Sequence, residues 1–152
     1  MKKFKFTLEK VLNVKNQFHE VKRAELLQLR IQLRKVLEAI DENNATFDRY
    51  NSEMNDLMEK GTSVENIERY KSYFKVLINE EKRLKTEGEN INRAIAAKQQ
   101  EILEIKTEIS GLEKLKEKQQ ADYDKEMQKE QEREIEEFLN EKLSGAETTL
   151  DI

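Results

Sequence analysis

His19 is the sole histidine of the chain, and there is no cysteine. Thiolate chemistry, a disulfide framework and a Cys/His metal set are therefore excluded. A lone histidine on a helix reads as an exposed polar residue rather than a metal ligand. Carboxylates abound, as in EREIEEF at 132–138. A general acid or base needs a cleft that tunes its pKa, and carboxylates strung along a helix have none. No G-x-x-x-x-G-K-[ST] or G-x-G-x-x-G loop is present to cradle a phosphate. The sequence thus assigns no catalytic, cofactor-binding or metal residue, and the protein is expected not to be an enzyme.

Binding chemistry is the remaining class. Basic residues near the N-terminus alternate with Phe, Leu and Val instead of forming the dense run that precedes the heptads of a basic zipper. Nucleic acid is not the expected partner. Phe4, Leu8, Val11 and Leu12, read as a helical stripe edged by Lys2, Lys3, Lys5 and Lys10, could meet a membrane surface. The simpler reading packs that stripe on another helix or on a partner protein. Phe47, Tyr50, Tyr70, Tyr73 and Phe74 form a second group. Aromatics anchor interfaces because they bury large area with few rotors. All but Tyr73 also fall at core-facing positions, so Tyr73 is the better interface candidate.

The elements that must carry these residues are long helices. Charged residues make up 39% of the 152, Lys plus Arg (28) nearly balance Asp plus Glu (32), and proline is absent. Balanced charge with sustained apolar periodicity argues against disorder and for long helix. Leu26, Leu29, Leu33, Val36, Ile40, Asn43, Phe47, Tyr50, Met54 and Leu57 step by three and four, the seam of a coiled coil. Asn43 is its polar exception, either fixing register or simply tolerated. Upstream, Val11, Val14, Phe18 and Val21 repeat in another frame, so a slip is expected between Val21 and Leu26. A second seam runs through Ile67, Tyr70, Phe74, Leu77, Glu81, Leu84, Gly88, Ile91, Ile95, Lys98, Ile102, Ile105, Ile109, Leu112, Lys116, Gln119 and Tyr123. Gly88 and Gly111 read as tolerated defects or soft points.

Between the seams, Gly61 can take positive φ and close a helix. Thr62 and Glu65 have the spacing of a capping box that opens another. A stop followed by a start is a turn, which predicts an all-α antiparallel coiled-coil hairpin with its tip at Lys60 to Ser63. The first helix is expected over about 5–59 and the second over about 63–143, stopping at Ser144-Gly145, with a frayed tail over 144–152. Paired residue numbers should sum to about 123. The second helix then overhangs the first by roughly 20 residues. Both termini lie at one end, where residues 1–40 carry ten basic and four acidic side chains and 120–152 carry four basic and eleven acidic. Ile135, Phe138 and Leu139 on the overhang have no partner in this register. No apolar run approaches the ~18 residues of a membrane span. MKKFKFTLEK lacks a secretory apolar core. The expected location is the cytosol.

FKFTLEKVL at the start resembles the F-x-F-x-L-x-x-L/V-L opening of the flagellar export protein FliJ family. LEKLKEKQQADYDKEMQKEQEREIEEF, residues 112–138, is similar to that family's C-terminal stretch. Both ends and a GTS turn occur in the same order. The resemblance implies a component of the bacterial flagellar type III protein export apparatus, serving flagellum biogenesis, motility and chemotaxis. It implies a coil similar to the stalk of rotary ATPases, whose paired termini enter the export ATPase hexamer. It also implies contact with the membrane export gate protein and escort of export chaperones. The location it implies is cytoplasmic and peripheral to the cell membrane at the flagellar base. Carried over by motif, Phe4, Phe6, Leu8, Val11, Leu12, Leu112, Leu115 and Tyr123 would meet the ATPase ring. Tyr50, Tyr70, Tyr73 and Leu77 would meet the gate. The alternative is a generic coiled-coil tether, or the equivalent stalk of a virulence secretion system.

Overall fold

In a computed structural model the chain forms two helices, α1 (Glu9–Lys60) and α2 (Val64–Leu150), packed against each other as a hairpin. The structure describes residues 2–150, with side chains as far as Gly145. No strand occurs among the described residues. The chain divides into two compact units, 19–104 and 1–18 with 105–152.

The unit 19–104 contains the tip. Gly61 has φ +87 and is the one described residue with positive φ. A Cβ there would meet nothing within 4 Å, so the backbone conformation alone demands glycine. The cap that opens α2 differs from expectation by one residue. Ser63 Oγ accepts from the Asn66 N–H at 3.3 Å, and the Ser63 carbonyl accepts from the Ile67 N–H at 3.4 Å. Ser63 is therefore the N-cap and Asn66 the third helical residue. Thr62 bridges the turn and accepts from Asn66 Nδ2 at 3.1 Å. Glu65 falls in the first turn, where its charge complements the helix dipole.

Every expected seam position from Leu26 to Leu57 and from Ile67 to Ile102 is covered at least in part, with Val36, Leu77, Leu84, Gly88 and Ile102 buried. The register is the expected one. Lys22 Nζ meets Glu101 at 2.8 Å and Lys98 Nζ meets Glu25 at 2.7 Å, and each pair sums to 123. Asn43 Nδ2 donates to the Leu77 carbonyl across the seam at 2.9 Å. The bond gives Asn43 a defined partner on α2, in keeping with a register role. Among the described residues no side chain is sealed completely, because two helices cover each seam from one side only.

The expected frame slip is absent. Lys22 and His19 hold seam positions four and seven residues before Leu26, while Val21 is 54% exposed. On α1 in the unit of the termini, Glu9, Leu12 and Lys15 are covered, and Val11, Val14 and Phe18 are exposed. Lysine tolerates a seam because its methylenes cover apolar surface while the ammonium reaches the rim. Lys15 Nζ meets Glu108 at 2.6 Å there. Ile105, Ile109, Leu112, Lys116, Gln119 and Tyr123 continue the α2 seam as expected.

α1 starts at Glu9, not near residue 5. Residues 2–6 are non-helical, and the Glu9 N–H closes a turn on the Phe6 carbonyl at 3.1 Å. Lys3 and Lys5 are exposed whereas Phe4 is half-buried and Phe6 buried, the alternation of an extended chain. The helical stripe of Phe4, Leu8, Val11 and Leu12 is therefore not formed. The expected stop at Ser144-Gly145 is not made either, since α2 continues to Leu150. A glycine weakens a helix interior but ends one only by leaving helical φ, and Gly145 does not. Of the frayed tail expected over 144–152, Asp151 and Ile152 lie outside the described residues.

Candidate partner-binding surfaces

In the unit of the termini, α2 supplies a platform for the N-terminal segment. The Tyr123 hydroxyl donates to the Lys2 carbonyl. Its ring lies 5.6 Å from that of Phe4, tilted by 52°. Phe4, Phe6 and Thr7 line an open concavity with Lys10, Lys116 and Gln120. Lys116 Nζ is held by Glu9 at 2.9 Å. The residues carried over for the ATPase ring split by burial. Phe6 and Leu12 are core, Phe4, Leu8, Leu112 and Tyr123 are half-covered, and Val11 and Leu115 are exposed.

In the unit 19–104, the aromatic group gathers close to the tip. The Tyr50 ring lies 4.7 Å from Tyr73 and 6.2 Å from Tyr70, both edge-on. The Arg49 guanidinium sits 5.3 Å from the Tyr50 ring centre. Phe47 and Phe74 pack at 4.9 Å. Tyr50, Tyr70 and Tyr73 line a concavity of about 360 Å³ with Leu57, Asn66 and Arg69. Burial, followed by the charge of Glu53 and its bond to the hydroxyl at 3.4 Å, raises the Tyr70 pKa. Hydrogen bonding with Tyr50 is the main cause that raises Tyr73. Both phenols are thus held in the neutral, donating form. Tyr73 is 46% exposed, as expected for the residue off the seam, while Leu77 is 8% exposed and belongs to the core.

His19 does not stand out in solvent as expected. Its side chain is 15% exposed, and Nδ1 lies 3.6 Å from Glu20 Oε1. Nε2 is buried without a hydrogen-bond partner. The heptad count back from Leu26, rather than the search for apolar residues, was the signal for this placement. The same count would have found Lys15 and Lys22. Asn66 and Arg69 were missed because polar residues carry no periodic signal of their own. Among the described residues no acidic or histidine cluster could hold a metal ion. No helix is long and apolar enough to cross a membrane among them.

The family described as Flagellar FliJ protein matches residues 4–146, from Phe4 of the extended segment to the far part of α2. The chain belongs to the FliJ family. No curated protein and no solved structure matches it. FliJ proteins are components of the flagellar export apparatus, and their part in it is structural rather than enzymatic. The match thus begins at Phe4, whose ring meets that of Tyr123 on α2.

Proposed function

We propose that this FliJ-family chain is a non-enzymatic stalk of the flagellar type III export apparatus. The end bearing both terminal segments seats in the export ATPase hexamer. Phe4, Val11, Leu115 and Tyr123 supply contact surface, and Phe6, Leu8, Leu12 and Leu112 hold its shape. The tyrosine surface of Tyr50, Tyr70 and Tyr73, backed by Leu77, meets the export gate protein. Export chaperones travel on the same coil. The protein works at the cytoplasmic face of the membrane at the flagellar base.

One observation carries this reading. Tyr123 joins the segment around Lys2 and Phe4 to α2 by a hydrogen bond and a ring contact. N-terminal and C-terminal motifs far apart in sequence thereby form one surface, which suits a single socket on a partner. The test adds purified protein to the export ATPase of the same cell and follows hexamer formation and ATP turnover. Both should rise, and both should be lost on deleting residues 1–12 while helix content is kept. A folded protein that neither binds nor stimulates the ATPase would sink the proposal.

A further inference from the structure

Two apolar stripes in the unit of the termini face solvent, and their surroundings differ in charge. Val11, Val14 and Phe18 on α1 are 43%, 46% and 52% exposed. Residues 2–18 around them carry five lysines and one glutamate. Ile135, Phe138, Leu139 and Leu143 on α2 are 51–62% exposed at helical spacing. Residues 131–143 carry five glutamates, one arginine and one lysine. Phe138 has its own Lys142 5.1 Å from the ring centre, one turn on.

These stripes complement each other but cannot meet within one chain. The Lys15–Glu108 and Lys116–Glu9 pairs fix Val11 to Phe18 beside the stretch of α2 near Glu108 and Lys116. Ile135 lies about 30 Å farther along that helix at 1.5 Å per residue. Pairing of one acidic stripe with a second acidic stripe is opposed by like charge. Pairing of acidic with basic is favoured and gives each apolar row a cover.

We propose that a second copy of this chain is the occupant, each copy laying its Ile135–Leu143 stripe on the Val11–Phe18 stripe of the other. A two-fold axis makes both contacts at once. Inverting one copy exchanges its two stripes, so any axial separation between them is matched automatically. The contact is isologous and closed, and it yields a dimer rather than a filament. The inference does not depend on the export ATPase reading. A dimer of this kind hides part of the surface assigned to that partner, so self-association and ring binding compete.

The experiment is analytical ultracentrifugation of the full chain at several concentrations and two salt levels. Mass should climb towards that of two chains at about 50 mM salt, with association weakened at least tenfold near 0.5 M, where screening shortens to a few ångströms. Val14→Asp and Phe138→Asp lie at exposed positions, and each alone should remain a single chain with unchanged helix content by circular dichroism. A mixture of the two keeps one intact acidic stripe facing one intact basic stripe and should regain part of the association. A mass that stays at one chain throughout overturns the proposal and leaves both stripes to a different protein. Association that survives Val14→Asp overturns it too, in favour of pairing between the overhangs.

Discussion

At the scale of the residue, two glycines separate backbone demand from packing. Gly61 sits at φ +87, where an L side chain is strained. Gly61→Ala should cost roughly 1–2 kcal/mol despite the open space around it. Gly88 lies in the seam with helical φ, and a Cβ there would meet Val36 Cγ1 at 3.6 Å, an ordinary contact. Gly88→Ala should therefore stabilise the fold by up to about 1 kcal/mol through helix propensity. Thermal unfolding checks both, with shifts of opposite sign and about 2–4 °C per kcal/mol. A drop in midpoint for Gly88→Ala would mean that the two helices need closer approach there than 3.6 Å implies. The seam glycine was thus readable as a defect from sequence. Whether that defect could be filled was not, because it depends on the distance to Val36.

At the scale of the element, polar residues in the seam make stability depend on pH. Glu101 accepts from Lys22 at 2.8 Å and from Lys98 at 3.1 Å, and these bonds, Lys22 first, lower its pKa below the ordinary 4.5. A depressed carboxylate contributes stability that is fully present above its ordinary value and lost as pH falls through the folded one. Lys98 is raised above 10.5 by its bonds to Glu25 and then Glu101. Its contribution is present below the ordinary lysine value and lost as pH rises through the raised one. Denaturant unfolding should therefore show a plateau across neutral pH and a fall below about pH 4.5. Glu101→Gln should flatten the acid limb while leaving the alkaline limb in part through Glu25. An acid limb unchanged in that variant would show that other carboxylates set it.

The same elements show how far sequence reasoning reaches. The positions from Leu26 to Leu57 and from Ile67 to Tyr123 were legible because burial of an apolar seam enforces period, and period survives in the residue string. The segment before Leu26 misled, because apolar Val11, Val14, Phe18 and Val21 mark a face that α2 does not cover. Lys15, His19 and Lys22 hold the true seam, and composition gives no hint that long cationic stems pack there. The alternation Lys3-Phe4-Lys5-Phe6 was visible, but a two-residue period over so short a stretch was absorbed into the helix beside it. Of the proposed binding surfaces, the aromatic residues were legible as types. The Tyr123 tie to Lys2 was not, since it joins backbone to side chain across nearly the whole sequence.

At the scale of the whole molecule, α2 has a stretch that α1 does not accompany. Residues 131–145 are exposed at every position, while α2 seam residues such as Leu77, Leu84, Ile102 and Ile105 are buried. A helix whose apolar stripe no other helix of the same chain covers is held mainly by propensity, which is marginal in water. In a single chain, backbone amides of 131–145 should therefore exchange hydrogen far faster than those around Leu77 and Leu84, which open only with the seam. Adding the export ATPase hexamer turns this contrast into a test of the proposed function. Seating in the ring should slow exchange over residues 2–12 and 112–123 and leave 50–77, with the tyrosine surface, unchanged. Adding the gate protein should do the reverse. Protection that appeared first around Tyr50 and Tyr73 on ATPase binding would exchange the two assignments, because the surface a partner covers is the one whose amides it shields.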